Sequence, residues 1–349
     1  MSYKFITIAI IIFMAFTVTL SAVSNAAPIF LLIEPGSRPG AMGSAYVAMV
    51  DDAFAGYWNT GAMAFNRKVQ FALMHSNWFG DVMGINDMYI EYLAWNEYFE
   101  DIGNVGANAT FMTYGSQDMT DEDGLKIGTF TSYELAIALS YAYQMNQNLG
   151  LGVNFKFIYS DLAPEGTGET EHSTKGQGMS FAFDFGYLQK NFFVRNLSFG
   201  VNFQNIGPNI TYINKSQADP LPLNLRAGFS YRIIDTQYSK FAINGDMSKV
   251  LANEDDLFTR MITAWHDDPI KYEWEEIVKC IGAEYIYLDL LSIRSGYYLD
   301  TAGEIEGFSF GAGIHYTVNN QYKLGIDFAM QPAGELTKWN KTFSLNVEF

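Results

Sequence analysis

Every odd position from Tyr133 to Tyr143 carries a large apolar or aromatic residue (Tyr133, Leu135, Ile137, Leu139, Tyr141, Tyr143), while Glu134, Ala136, Ala138, Ser140, Ala142 and Gln144 fill the even ones. A repeat of two is the period of a β-strand, whose side chains point to opposite faces in turn. The pattern returns at once in Leu149, Leu151, Val153, Phe155, Phe157 and Tyr159, with Gly150, Gly152, Asn154 and Lys156 between them. So short a separation makes the two runs a hairpin. The same reading finds strands at Phe181 to Tyr187, Leu197 to Phe203, Leu223 to Ile233, Phe308 to Val318, Tyr322 to Met330 and Phe343 to Phe349. Weaker alternation near 69–78, 86–96, 103–114, 241–249, 280–288 and 291–299 brings the total to about 14. An even number suits a closed antiparallel barrel.

A soluble β-sandwich also alternates, but three features oppose it. Several runs are about 10 to 12 residues long, roughly twice the usual soluble strand and enough to cross a bilayer's apolar thickness at a tilt near 45°. The large aromatics keep to one face, and Gly, Ala, Ser and Asn hold the other, which is the lipid-out and lumen-in division of a membrane barrel. The chain has the aromatic supply for this, with 28 Phe and 22 Tyr. Finally, the connections alternate in length: short at 97–102, 145–148, 190–196, 234–240, Asp289 and Asn319–Asn320, and longer at 79–85, 115–131, 161–178, 206–222, 251–279, 300–306 and 331–341. The fold expected is an all-β transmembrane antiparallel barrel of about 14 strands. Tyr133, Tyr143, Tyr159, Tyr187, Tyr231 and Tyr316 sit near strand ends, where amphipathic rings anchor at the membrane interface.

The first residues read as a signal peptide: Lys4, an apolar run from Phe5 to Phe16, and small residues before a cleavage placed after Ala26. That run is too short to span a bilayer as a helix. The domain reading is therefore a leader at 1–26, a lumenal or plug segment at 27–66, and a barrel at 67–349 bearing a long acidic loop at 251–279. The net charge of −17, one unit more negative once Lys4 is removed, excludes a nucleic-acid partner. The one cysteine, Cys280, cannot form an intramolecular disulfide.

Chemistry-bearing motifs are missing. His75, His172, His266 and His315 are scattered without a second ligand at metal spacing, and no nucleophile elbow, phosphate loop or paired-carboxylate site stands out. Asp118 to Gly124 resembles part of a calcium loop, but Met119 and Phe130 occupy ligand positions, so it reads as a solvated acidic loop. No enzymatic activity, metal or cofactor is expected. The 251–279 loop interleaves Trp265, Tyr272 and Trp274 with eight acidic residues, and reads either as a protein-docking surface or as a partly helical lid over the pore. Residues 28–66 are apolar and rich in Gly and Ala, the composition of an element folded tightly inside a lumen, where Arg38, Asp51 and Asp52 would be paired.

These residues also carry a resemblance. Phe30 to Gly43, containing Arg38, Met42 and Gly43, and Asp51-Asp52 to Trp58-Asn59 are similar to the mature N-terminus of the PorV/PorQ family of type IX secretion, within the FadL-like barrels. The family usually continues Pro-Ala where this chain has Thr60-Gly61. Leu221 to Gly228, Asp246 to Leu251, Gly282 to Tyr285, Arg294 to Tyr298 and Gly311 to Gly313 agree as well, so the resemblance covers nearly the whole mature chain. It implies a barrel with its N-terminal segment in the lumen and a place in the cell outer membrane. It further implies capture of the C-terminal domains of secreted cargo, and their passage between the translocon barrel and a cell-surface attachment complex. Outer-membrane lipid would surround the barrel. The alternatives are a FadL-like transporter of hydrophobic small molecules and a structural scaffold of the outer membrane.

Overall fold

The computed structural model describes residues 26–78, 87–121, 123–163, 176–212, 218–319, 321–334 and 337–349. The expected leader lies outside the described residues apart from Ala26. Fourteen antiparallel strands close into a barrel in sequence order. They are β1 (Gln70–Asn77), β2 (Met88–Phe99), β3 (Gly103–Thr120), β4 (Lys126–Gln144), β5 (Leu149–Ala163), β6 (Gly176–Gln189) and β7 (Leu197–Ile206). The second half comprises β8 (Asn224–Asp235), β9 (Ser239–Val250), β10 (Val278–Tyr287), β11 (Leu291–Asp300), β12 (Ile305–Val318), β13 (Tyr322–Pro332) and β14 (Trp339–Glu348). The ring shuts where β1 pairs with β14, from Gln70 opposite Glu348 to Asn77 opposite Lys341. Closure leaves no strand edge, so the ladder satisfies backbone donors and acceptors that lipid cannot.

The faces are inverted relative to a soluble protein. On β5, Gly152, Asn154, Lys156 and Ser160 are buried, whereas Leu151, Val153, Phe155 and Phe157 are exposed. Exposed aromatics in such numbers are stable only where the surrounding solvent is itself apolar. The outer rings also touch one another across strands. His75, Tyr89, Phe111, Tyr133 and Tyr159 form a ladder over β1 to β5, with neighbouring centroids 5.8 to 6.3 Å apart. A second group, Tyr187, Phe199 and Phe229, runs across β6 to β8 near the opposite rim.

Short turns gather at the rim that also holds the start of β1 and the chain end, where Val69 and Phe349 exchange backbone hydrogen bonds of 2.9 and 3.0 Å. The longer connections lie at the other rim. One expected long loop, 115–131, is instead mostly strand: β3 and β4 run 18 and 19 residues and form a hairpin in which the Asp121 amide donates to Leu125 O (2.9 Å). Beyond Thr113 a bulge shifts the register, and Ser116 to Thr120 pair with Lys126 to Thr131. These residues lack the outward aromatics that mark a lipid-facing strand, so alternation stops although backbone pairing does not. The supposed calcium-loop fragment is this hairpin: the Asp121 carboxylate accepts from the amides of Asp123 and Leu125, and Lys126 pairs with Asp118 at 2.5 Å.

The inversion predicts asymmetric tolerance. Phe155→Arg, on the outer face midway along β5, should destabilise the folded barrel by ~2–4 kcal/mol, measured by denaturant titration in lipid vesicles, whereas Phe155→Leu should be nearly neutral.

Candidate functional site

Residues 26–66 pack against the inner faces of the strands. A 3-10 turn (Ile29–Leu32) is followed by three single-turn helices, α1 (Ser37–Ala41), α2 (Ala55–Trp58) and α3 (Thr60–Met63). Helices this short leave most end groups without intrahelical partners, and inward-facing side chains of the wall supply them. Ser309 donates to Ala41 O (3.0 Å), Asn154 to Gly56 O (2.6 Å), and Asn202 and Gln204 both to Tyr57 O (2.8 and 2.9 Å). The Asp246 carboxylate accepts from the amides of Tyr46 (2.7 Å) and Val47 (2.8 Å). Ser37 donates its amide to Ser344 (2.9 Å). Partners on β5, β7, β9, β12 and β14 hold the segment from all sides.

Buried charge carries the same connection further. The Arg38 guanidinium turns its Nε and Nη2 edge to both oxygens of Glu284, each at 2.8 Å, while Nη1 donates to Asp51 (2.5 Å) and Tyr46 (3.0 Å). Glu284 also accepts from Arg294 (2.7 Å), which reaches Asp327 (2.6 Å), which in turn meets His315 (3.0 Å). A bidentate fork of this kind is both stronger and more directional than a single contact. Nearby, Arg226 donates to Ser44 O (2.9 Å), pairs with Glu34, and lies 4.8 Å over the Trp58 ring.

The structure thus brings together Arg38, Asp51 and Asp52, as expected, and places the other sequence-selected residues where the fit is tightest. Met42 and Gly43 lie directly on β10 and β11: a Cβ added to Gly296 would come within 2.1 Å of the Met42 carbonyl carbon, and one on Gly282 within 2.4 Å of its oxygen. Gly43 itself has φ +61°. Trp58 donates to Pro35 O (2.8 Å), and the Asn59 amide group spans Val47 O (2.8 Å) and Tyr187 O (2.9 Å). Gly61, where the family usually has Ala, touches β6 so closely that a Cβ would sit 2.7 Å from Gly186 O. The wall partners Arg226, Asp246, Glu284 and Arg294 all fall in the quoted resemblance segments, but their pairing with the N-terminal segment spans up to 246 residues of sequence, beyond the reach of spacing arguments.

Beneath Arg38, toward the short-turn rim, is a cavity of about 280 Å3. Its lining is strongly charged, with Arg232, Lys240, Lys323, Asp289, His315 and Glu348 among its residues. No group of three His, Cys, Asp or Glu among the described residues is arranged to hold a metal ion.

The long loop corrects an expectation. Between β9 and β10 it forms α4 (Leu257–Thr263) and α5 (Ile270–Glu276), and it does not lie over the pore. Phe203, Leu225 and Lys249 are register neighbours across β7, β8 and β9, on the face opposite the inward Asn202, Arg226 and Ser248. Leu257, Met261 and Ala264 pack with Phe203 and Leu225, while Lys249 is covered by Glu273 and by Glu276 at 2.9 Å. The lobe is therefore folded against the outside of the wall, because an outward lysine at the top of an apolar row needs an ionic cover. Trp265, Tyr272 and Trp274 are all exposed on it. Lys249 was the sequence signal for this: it shares the outward parity of Ile243 and Met247.

Two predictions follow from the interior. Glu284→Gln should cost ~3–5 kcal/mol, since it removes the carboxylate that two buried guanidinium groups share and leaves Arg38 with Asp51 and Arg294 with Asp327, and a double-mutant cycle with Arg38→Met should be strongly non-additive. The Arg38 guanidinium beside the half-exposed Asp51 carboxyl holds it at about 2, below its ordinary 3.8. A carboxyl depressed on folding stabilises above its ordinary value and stops doing so as pH falls through the lowered one. The stability of the folded barrel, read by denaturant titration in lipid vesicles, should therefore decline as pH falls from about 4 toward 2, and Asp51→Asn should make that decline shallower.

The sequence model of the family described as "Type IX secretion system protein PorV" matches residues 18–255. No curated protein matches the chain in sequence. Among solved structures, the Pseudomonas putida toluene transporter TodX aligns with a TM-score of 0.54 at 13% identity, covering 90% of this chain and 96% of that one. The Ralstonia pickettii toluene transporter TbuX aligns with a TM-score of 0.55 at 13% identity, covering 91% and 99%. At such identity these two speak for the FadL-like barrel alone. The family match extends over about two thirds of the sequence, and this chain belongs to the PorV family of outer-membrane barrels of the type IX secretion system.

Proposed function

We propose that this barrel works at its long-loop rim as a receiver of secreted proteins, taking up their C-terminal domains as they leave the translocon barrel and handing them to the attachment complex at the cell surface. The observation that carries this reading is the filled interior. Where Met42 meets Gly282 and Gly296, and Thr60-Gly61 meets Gly150, Gly152 and Gly186, backbone lies on backbone with no room for a methyl group. A lumen closed in this way favours binding at the surface over passage through the middle. The β3–β4 hairpin, whose strands greatly exceed the ~10 residues needed to cross the membrane, offers an ordered extracellular edge for such binding.

Residues 27–66 act in this account as a fixed plug, with Arg38, Met42, Gly43, Asp51, Asp52, Trp58 and Asn59 as its fastening points. The leader at 1–26 directs export. The protein is a carrier and not an enzyme. Transport of a hydrophobic small molecule, as in the toluene transporters TodX and TbuX, is disfavoured because the cavity under the plug is lined by charged side chains, which an apolar ligand would have to desolvate. A purely scaffolding role has no specific observation in its favour.

The test is affinity purification of the detergent-solubilised barrel from its native outer membrane, with bound proteins identified by mass spectrometry. Recovery of a large translocon barrel together with secreted proteins that share a C-terminal domain is the expected outcome. A partnerless barrel carrying a bound hydrophobic small molecule would overturn the proposal in favour of transport.

A further inference from the structure

α4 presents three different faces. Leu257, Met261 and Ala264 pack on the barrel wall. Asp256, Thr259 and Thr263 form a polar edge: the Asp256 carboxylate accepts from the Thr259 amide (3.0 Å), the Thr263 hydroxyl donates to Asp255 (2.6 Å), and Asn253 ties Thr263 to Asp267. The third face, Phe258, Ile262 and Trp265, repeats every three to four residues: Phe258 is 75% and Ile262 70% exposed, while Trp265 keeps one side open and turns the other toward the Lys249 ammonium, 5.5 Å from its ring. In α5, Ile270 is 88% exposed and Trp274 lies 4.5 Å beneath the Lys279 ammonium, still largely open.

The height of this apolar face is fixed by the barrel. Lys249, which α5 covers, stands ten residues along β9 from Ser239 at the short-turn rim; at ~3.3 Å per residue and a tilt near 45° that is about 23 Å along the membrane normal. An apolar band about 25 Å tall ends at that level. Immediately below on the same outward face, Met247 and Ile281 remain open to the lipid. The exposed stripe of the lobe is thus continuous with the lipid-facing wall, while Asp255, Asp256 and Asp267 are collected by hydrogen bonds on a separate edge.

We propose that the 251–277 lobe is a membrane-surface anchor that lies on the outside of the barrel and sets Phe258, Ile262 and Ile270 into the headgroup region of the outer leaflet. A helix with one apolar and one charged side, held parallel to the interface, partitions in this way, and indole rings such as those of Trp265 and Trp274 prefer that depth. The Lys249 pairs with Glu273 and Glu276 clamp the lobe to the wall, so it enters the leaflet at a fixed place beside β7 to β10. Trp265, Tyr272 and Trp274, expected from the sequence to meet a protein, are assigned here to lipid. The assignment depends on the barrel's place in a membrane and not on what it carries.

The test uses the full mature barrel in a Cys280→Ser background, with Phe258→Cys or Ile262→Cys carrying an environment-sensitive fluorophore, reconstituted into phosphatidylcholine vesicles. Folding of each labelled protein is verified by its resistance to SDS before heating. Blue-shifted emission at both positions, with a several-fold loss of intensity when the vesicles contain a lipid brominated high on its acyl chain, is expected, and a label at Glu254→Cys should show neither effect. Water-like, unquenched emission at positions 258 and 262 would overturn the proposal and return the stripe to a protein partner, since the vesicles contain none.

Discussion

One buried guanidinium joins the two halves of this molecule. Arg38 belongs to a segment that has no strand of its own, yet its Nε and Nη2 edge holds Glu284 on the barrel wall while Nη1 holds Asp51 and Tyr46 within the segment. A charge removed from water survives only when its partners are close and fully hydrogen-bonded. The Arg38 site meets this condition by drawing Arg294, Asp327 and His315 into one network on β10 to β13. Withdrawal of the N-terminal segment would strip Glu284 of the two hydrogen bonds it takes from Arg38.

The lipid solvent explains why the wall is built to receive such a segment. Outer positions must be apolar, which leaves Asn, Ser, Asp, Arg and Gly for the inner positions. The polar ones serve the frayed ends of single-turn helices, and the glycines allow backbone to approach backbone. The result is an interior that reads like the core of a soluble protein only in its N-terminal part, where Phe30, Tyr46, Phe54 and Trp58 are almost completely buried. A filled lumen also turns the functional question outward, to the rims and to the surface facing the membrane.

How much of this the sequence disclosed depended on how local the cause was. The strands from β4 to β6 and from β12 to β14 were legible because each presents an outward row made up largely of bulky apolar residues. On β3 the outward row is interrupted by Ala107 and Ala109 between Val105 and Phe111, so the strand was faint and its polar extension to Thr120 invisible. The pairing of Arg38 with Asp51 and Asp52 could be anticipated from their isolation in an apolar segment, but Glu284 could not, because only barrel closure brings it near. The loop at 251–279 was left open between a docking surface and a lid over the pore for the opposite reason: its composition was plain, but its position turned on the parity of one residue, Lys249.

The central claim is that the lumen is sealed by a segment locked into the wall, and single-barrel conductance in planar lipid bilayers tests it most directly. The account predicts no steady ionic current through the intact protein, and a measurable current once residues 27–66 are deleted from an otherwise folded barrel. A steady conductance in the intact protein would contradict it, and would mean that the contacts of Arg38, Met42 and Gly61 with the wall do not close the pore.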